Sequence, residues 1–224
     1  MKVTLQLLAS TVGAILFMGV ILFVPAGTFD YWQAWVFIAV FIVGTMAPTV
    51  YLAVKYPEAL RRRMTSGPWS ENRLVQKLIT VGISLSVVAV GVIGSLDHRF
   101  GWSTVPTAAV VVGDVLVLAG LGLAELVVVQ NNYAAATITV EAEQPVVSTG
   151  LYGVVRHPMY VGALIMMVGM PVALGSYWGL LTLIPVVLVF AARVTDEEKA
   201  LRDELDGYPE YTEKVHYRLV PGVW

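Results

Sequence analysis

The chain has 224 residues, of which 57 % are apolar types and only 13 % are charged, and its mean hydropathy is +0.74. Soluble domains carry about 25 % charged residues, so a chain with half that share must expose much of its surface to lipid. The formal net charge of −2 argues against a nucleic-acid partner. The absence of cysteine excludes disulfides and thiolate chemistry, and with three histidines no metal centre is expected.

Four apolar segments are long enough to cross a bilayer as helices, since a span needs about 20 residues. They cover residues 5–24, 31–54, 78–96 and 105–129. Two shorter apolar runs, 158–174 and 178–192, each reach only about 25 Å at the helical rise per residue. We therefore predict an all-α polytopic transmembrane helix bundle of five to six spans. It includes a short C-terminal helical hairpin and ends in a cytoplasmic amphipathic tail that begins at Arg193.

The distribution of basic residues predicts the orientation in the membrane. Cytoplasmic loops carry an excess of lysine and arginine. Six basic residues separate the second span from the third, namely Lys55, Arg61, Arg62, Arg63, Arg73 and Lys77. This loop is therefore predicted to be cytoplasmic, and alternation of the spans places both termini on the same side. The three adjacent arginines are further expected to contact anionic lipid headgroups.

Polar residues lie directly before the first run of the predicted hairpin. Arg156 and His157 precede Pro158, which suits the first turn of a helix because its missing N–H costs nothing there. The positive end of a helix next to two basic side chains favours an anion such as a carboxylate or phosphate. Tyr160 is expected on the same helix face as His157. The alternative is a basic pair at headgroup level with an interfacial tyrosine.

Carboxylates follow the second run of the hairpin. Arg193 and Glu197 have the i, i+4 spacing of helical ion pairs, and Glu198 is adjacent. The alternative interpretation is a solvated amphipathic helix with ordinary salt bridges. A carboxylate pair opposite a helix N-terminus, however, offers one site for an ammonium group and one for a carboxylate, the two charged ends of an amino acid.

These two clusters belong to a longer motif. In chain order it contains Gly150, Tyr152, Arg156, His157, Pro158, Tyr160 and Gly162, and then Glu197, Glu198, Leu201, Gly207 and Tyr211. The pattern resembles the isoprenylcysteine carboxyl methyltransferase family of integral membrane enzymes over residues 130–224. The front of the chain, including residues 57–63, is more similar to the bacterial integral membrane methyltransferase branch of that family.

The resemblance implies S-adenosyl-L-methionine as cofactor, enclosed at the cytoplasmic membrane face, and a lipophilic substrate that enters from the bilayer. It implies an enzyme of the bacterial inner membrane that methylates a carboxylate or an amine, with no metal. Residues 1–129 are then a four-span N-terminal bundle, and residues 130–224 contain the cofactor-binding loop, the hairpin and the tail of one integrated domain.

The resemblance also implies roles for individual residues. His157, Tyr160 and the helix start at Pro158 are expected to contact the carboxylate and ribose of the cofactor. Glu197 and Glu198 are expected to bind its amino or ribose groups. The implied catalytic residues are Arg193 and Glu197. The full implied cofactor-binding set is Tyr152, Arg156, His157, Pro158, Tyr160, Gly162, Glu197, Glu198 and Tyr211.

Two other functions are compatible with parts of the pattern. A membrane reductase of the sterol-reductase type shares the Arg-His-Pro-x-Tyr motif, and its NADPH would need an arginine cluster for the 2′-phosphate. The carboxylate pair at Glu197 and Glu198 argues against it, because two carboxylates repel a pyrophosphate. A membrane adaptor without enzymatic activity would bind no cofactor at all.

Overall fold

Helices are the only regular elements in residues 2–65, 74–134 and 144–224, which are the residues that the computed structural model describes. The α-helices are α1 (Lys2–Ala26), α2 (Trp32–Lys55), α3 (Pro57–Thr65), α4 (Leu74–Phe100), α5 (Thr107–Gln130), α6 (Pro158–Ala173), α7 (Leu183–Glu204) and α8 (Tyr208–Lys214). Short 3₁₀ turns cover Gly150–Gly153 and Trp178–Thr182. The prediction of an all-α protein is confirmed.

Among the described residues, five helical segments are long and apolar enough to cross a membrane. They lie in α1, α2, α4, α5 and the run Trp178–Glu204, which joins the second 3₁₀ turn to α7. With 16 residues, α6 extends about 24 Å, less than the ~30 Å hydrocarbon thickness. These lengths confirm the polytopic helical bundle with a shorter helix near its C-terminal end.

The structure corrects the predicted start of the tail at Arg193. One continuous helix, α7, runs from the apolar segment through the charged segment to Glu204. Glutamate, lysine, alanine, leucine and arginine dominate its last turns, and all are good helix formers, so the helix continues although the hydropathy falls. Arg193, Glu197 and Glu198 therefore project from a helix anchored in the apolar part of the chain.

Two compact units can be distinguished by their internal contacts. The first consists of Met1–Met46, Leu85–Ala119 and Ile165–Ile184. Its polar centre is Asp97, which is buried and accepts hydrogen bonds from the backbone N–H and the hydroxyl of Ser103, both at 2.6 Å, and from the Ser176 hydroxyl at 2.5 Å. These bonds satisfy the buried carboxylate and tie two loops to the end of α4.

The second unit consists of Ala47–Ser84, Gly120–Leu164 and Pro185–Trp224, and it contains every predicted site residue. In it, Ala59 and Leu60 of α3 pack with Leu52 and Val128 in one hydrophobic cluster. A second cluster packs α8 onto the end of α7, and its buried members are Leu205, Tyr208, Tyr211 and Val215.

Part of the predicted basic loop is present as α3. Arg61 is exposed there, and the Arg62 guanidinium lies 4.6 Å from the centre of the Tyr133 ring. Arg73 lies outside the described residues, as do the segments 66–73 and 135–143 of the two predicted polar loops. The division of the chain at residue 129 stays a prediction.

Candidate active site

A sharp turn leads the chain into the site. Gly150 has φ +60°, and a Cβ there would lie 2.6 Å from the Gln130 side-chain oxygen. That oxygen accepts a hydrogen bond of 2.9 Å from the Leu151 backbone N–H. The left-handed backbone conformation favours glycine at position 150, and a Cβ there would also displace the Gln130 side-chain amide. The turn places Tyr152 and the residues before α6 within the second unit.

A buried ion cluster surrounds Glu198 on α7. The Arg156 Nε donates to Glu198 Oε1 at 2.6 Å, and the Arg218 Nε donates to Oε2 at 3.0 Å. His157 Nε2 lies 3.2 Å from Oε1. Because the Glu198 side chain is only 4 % exposed, its negative charge needs these partners. The cluster joins α7 to the start of α6 and to the C-terminal segment.

The C-terminal segment also uses backbone groups near the start of α6. The N–H groups of Arg156 and His157 donate to the carbonyls of Tyr217 and Arg218, at 2.9 and 3.0 Å. The Arg156 Nη1 donates to the carbonyls of Val215 and His216. These bonds occupy both backbone amides and much of the Arg156 guanidinium, so the main contacts of this residue are within the fold.

Tyr160 connects the predicted catalytic residues. Its hydroxyl accepts a hydrogen bond from Arg193 Nε at 2.7 Å and donates one to Glu197 Oε2 at 2.6 Å. Arg193 is buried and also donates from Nη1 to the side-chain oxygen of Gln76 at 2.9 Å. The other end of the network approaches His157, whose Nδ1 lies 3.9 Å from Glu197 Oε1.

A cavity lies beside this network within the second unit. It is open to solvent, and its empty space, including the open solvent at its mouth, is roughly 810 Å³. Its wall combines a carboxylate, basic groups and several aromatic rings. The polar and aromatic residues that line it are Asn131, Tyr133, Gln144, Tyr152, Arg156, His157, Tyr160, Glu197, Tyr208 and Tyr211.

Most predicted cofactor-binding residues lie on this wall, and three predicted site residues do not. Arg193 and Glu198 lie behind it in the two networks described above, and Pro158 lines it. Gly162 packs against α5 instead, because a Cβ there would lie 2.7 Å from the Gly120 carbonyl oxygen. We interpret Gly162 as a helix-packing glycine that lets α6 approach α5 closely.

Three further residues of this region lie outside the predicted set of site residues. Tyr208 is 4 % exposed and lines the cavity, and its buried hydroxyl has no hydrogen-bond partner among the described residues. Arg218 completes the Glu198 cluster, and Gln76 completes the Arg193 network. The Gly207-Tyr208-Pro209 segment is typical of a turn, which is the only indication that the sequence gives for Tyr208. Nothing in the sequence next to Gln76 or Arg218 indicates their contacts with α7.

Comparison with known proteins identifies the central part of the chain. Residues 108–205, a little under half of the chain, match the family model described as phospholipid methyltransferase. This segment is similar to the phospholipid methyltransferase family. The family includes the isoprenylcysteine carboxyl methyltransferases, so the resemblance seen in the motif is confirmed. No curated protein matches the chain.

The match to the phospholipid methyltransferase family and the five membrane-length helices of the described residues indicate an integral membrane methyltransferase. The matched segment contains Arg156, His157, Tyr160, Arg193, Glu197 and Glu198. The match favours a methyltransferase over a reductase of the sterol-reductase type. A methyltransferase requires a methyl donor. The polar and aromatic residues that line the cavity are the candidates for binding it.

The tyrosines of the wall predict how stability depends on alkaline pH. Burial raises the pKa of Tyr152 from 10.0 to about 12. The stability that this group contributes is therefore present below pH 10 and is lost as the pH rises toward about 12, because the unfolded chain releases the proton first. We expect Tyr152→Phe to flatten the fall in Tm over this range, measured by tryptophan fluorescence in detergent. An unchanged slope would contradict the assignment.

Proposed function

We propose that the methyl donor is S-adenosyl-L-methionine, bound in the cavity of the second unit, and that the acceptor is a lipophilic molecule. The observation that carries this proposal is the combination, on one cavity wall, of Glu197 with several tyrosines and the buried Tyr208 hydroxyl, which has no hydrogen-bond partner in the described part of the chain. A buried polar group without a partner costs roughly 1–3 kcal/mol. A bound ligand that hydrogen-bonds to Tyr208 would remove that cost.

The chemistry of the wall fits this donor. S-adenosyl-L-methionine has a sulfonium and an ammonium group, and Glu197, whose side chain is 22 % exposed, offers a carboxylate at the wall. The flat rings of Tyr152 and Tyr211 suit a planar base, and their relative placement is fixed because the Tyr211 hydroxyl donates to the Tyr152 carbonyl at 2.7 Å. His157 and Tyr160 offer further hydrogen-bonding groups to the carboxylate and ribose.

The residues of the site perform binding and alignment. When bound, the donor supplies an electrophilic methyl group on a positively charged sulfur. Holding donor and acceptor in line is the main catalytic task, because orientation alone lowers the barrier substantially. We propose that Glu197 binds the cationic end of the donor. Arg193 is proposed to hold the Tyr160 hydroxyl and thereby to orient the side of the site that the acceptor enters. His157 completes the wall next to Glu197.

The acceptor is proposed to be a membrane lipid or a lipid-like molecule with a carboxylate or an amine. The membrane-length helices and the match to the phospholipid methyltransferase family support this class of acceptor. The basic residues around α3 support a cytoplasmic position of the site and of both termini. Arg61 is exposed there and suits anionic lipid headgroups. The inner membrane of a bacterium is the proposed location.

Calorimetric binding of S-adenosylhomocysteine to detergent-purified protein tests the proposal. We expect binding by the unmodified protein and a loss of affinity of about tenfold or more in Glu197→Gln and His157→Ala, because a hydrogen bond to a charged group contributes about 1.5–3 kcal/mol. Glu204→Gln is the matched control, since Glu204 is an exposed carboxylate on the same helix.

NADPH is titrated in parallel. Binding of NADPH in place of S-adenosylhomocysteine would contradict the proposal and favour the reductase, and binding of neither compound would favour an adaptor. Once donor binding is established, transfer of a labelled methyl group from S-adenosyl-L-methionine into the lipid of phosphatidylethanolamine vesicles tests the amine acceptor. Vesicles that contain a fatty acid test the carboxylate acceptor in the same assay.

A further inference from the structure

Gln76 is a fully buried polar side chain that the motif does not include. It lies in the first turn of α4 with 0 % of its surface exposed. Its oxygen accepts the hydrogen bond from Arg193 Nη1, and its amide nitrogen donates to Asp196 Oδ2. Arg193 and Asp196 are three residues apart on α7 and therefore lie on one face of that helix. One amide thus joins a cation and an anion on α7 to α4.

Both polar atoms of the Gln76 side-chain amide make hydrogen bonds. An amide presents an acceptor oxygen and a donor nitrogen side by side at the end of the chain, and here the acceptor faces a guanidinium while the donor faces a carboxylate. Thr80, one turn further along α4, lies with its hydroxyl 3.5 Å from Arg193 Nη1. The guanidinium is consequently oriented from the α4 side, with its Nε directed to Tyr160.

We propose that Gln76 is a positioning residue of the methyl-transfer site. It acts through Arg193, which holds the Tyr160 hydroxyl, which in turn holds Glu197 at the cavity wall. This inference rests on the proposed function, since it assigns Gln76 to the orientation of the site in which the donor binds. Gln76 itself is not among the described residues that line the cavity.

The test exchanges the polarity of the Gln76–Asp196 contact. In Gln76→Glu, one oxygen can still accept from Arg193, but the other faces the Asp196 carboxylate and repels it. In Gln76→Glu with Asp196→Asn, the new amide can donate to the new carboxylate, and the hydrogen bond is restored with its direction reversed. In Asp196→Asn alone, the new side-chain oxygen can still accept the hydrogen bond from the Gln76 amide nitrogen. The Kd and Tm of this variant are therefore expected to stay close to those of the unmodified protein.

The readouts are the Kd of S-adenosylhomocysteine and the Tm of each purified variant. Contacts within one network couple strongly, so we expect Gln76→Glu to raise Kd about tenfold, and the double variant to return to within about threefold of the unmodified protein. Gln33→Glu is the control for a carboxylate added to a membrane-length helix, because Gln33 lies on α2 in the first unit. Its Kd is expected to be unchanged.

Failure of this inference is distinguishable from failure of the proposed function. If the unmodified protein does not bind S-adenosylhomocysteine, the proposed function fails. If it binds and Gln76→Glu binds equally well, or the double variant is as weak as the single one, the positioning role is overturned. A purely structural role would lower Tm and leave Kd unchanged in the folded fraction. Should Gln76→Glu not fold, the double variant must still fold and bind within about threefold, or the inference is wrong.

Discussion

Replacement of Glu198 by glutamine is expected to destabilise the protein by about 3–5 kcal/mol, because removal of one partner leaves buried charges uncompensated. The Arg156 side chain is only 5 % exposed and makes a 2.6 Å bond to Glu198. Arg218 is 31 % exposed and is partly screened by solvent, so most of the effect is assigned to Arg156. The expected result is a large fall in Tm, measured by tryptophan fluorescence of the detergent-solubilised protein.

Glu197→Gln is the matched control for this prediction. The two glutamates are adjacent on α7, but Glu197 is more exposed, lines the cavity and accepts its hydrogen bond from the uncharged Tyr160. We expect this variant to keep its Tm within a few degrees and to lose affinity for S-adenosylhomocysteine. A Tm of Glu198→Gln equal to that of Glu197→Gln would refute the structural role of the buried cluster.

A second substitution separates loss of charge balance from loss of packing. Adding Arg156→Met to Glu198→Gln removes the uncompensated cation while it keeps an apolar stem of similar length. We expect the double variant to recover part of the lost Tm, as coupled neighbours do in double-mutant cycles. Additive losses would mean that the two side chains stabilise the fold independently of each other.

The spans could be predicted because the physics of the bilayer is local. A helix in lipid needs about 20 consecutive apolar residues, and such runs are visible without any tertiary information. The same reliance on apolar runs ends the predicted helix where the apolar residues end, whereas α7 continues beyond that point. Hydropathy falls after Ala192, but the backbone remains helical to Glu204 because helix propensity and side-chain pairing along the helix do not depend on apolarity.

The motif brings together residues that line the cavity or lie directly behind it, but it does not indicate which partner each of them contacts. Glu197 and Glu198 are indistinguishable by type, yet a rotation of about 100° per residue directs them to different partners. One contacts Tyr160 at the cavity, and the other contacts Arg156 in the interior. Which neighbour faces which partner depends on where α6 and the C-terminal segment pack, and neither can be read from spacing.

Contacts between distant parts of the chain account for the residues that were missed. Gln76 precedes Arg193 by 117 residues, and its environment in the sequence, between Val75 and Lys77, resembles any helix start near a membrane surface. The sequence around Tyr208, between Gly207 and Pro209, is typical of a turn and does not indicate that its hydroxyl is buried, because that burial depends on the packing of α8. Long-range packing, rather than residue type, makes these side chains part of the site.

The glycines of α5 and α6 provide the second large expected effect. Gly162→Ala is expected to lower stability by about 1–3 kcal/mol, the usual cost of overpacking, because the new methyl group would lie 2.7 Å from the Gly120 carbonyl oxygen and 3.1 Å from the Ala124 nitrogen. Both are backbone atoms of α5 and cannot rotate away. The substitution would also displace the start of α6, which carries Tyr160, so we expect weaker binding of S-adenosylhomocysteine together with the lower Tm.

Gly122→Ala is the matched control, since it changes a glycine in the same helix pair where no atom lies within 4 Å of the new methyl group. There the gain in helix propensity should raise stability by about 0.5–1 kcal/mol, so the two alanine variants are expected to shift Tm in opposite directions. If Gly162→Ala instead lost cofactor affinity while its Tm stayed at the level of the unmodified protein, Gly162 would be a direct cofactor contact, as the motif alone implies. A fall in both quantities would assign it to the packing of α6 on α5, through which the position of Tyr160 is set.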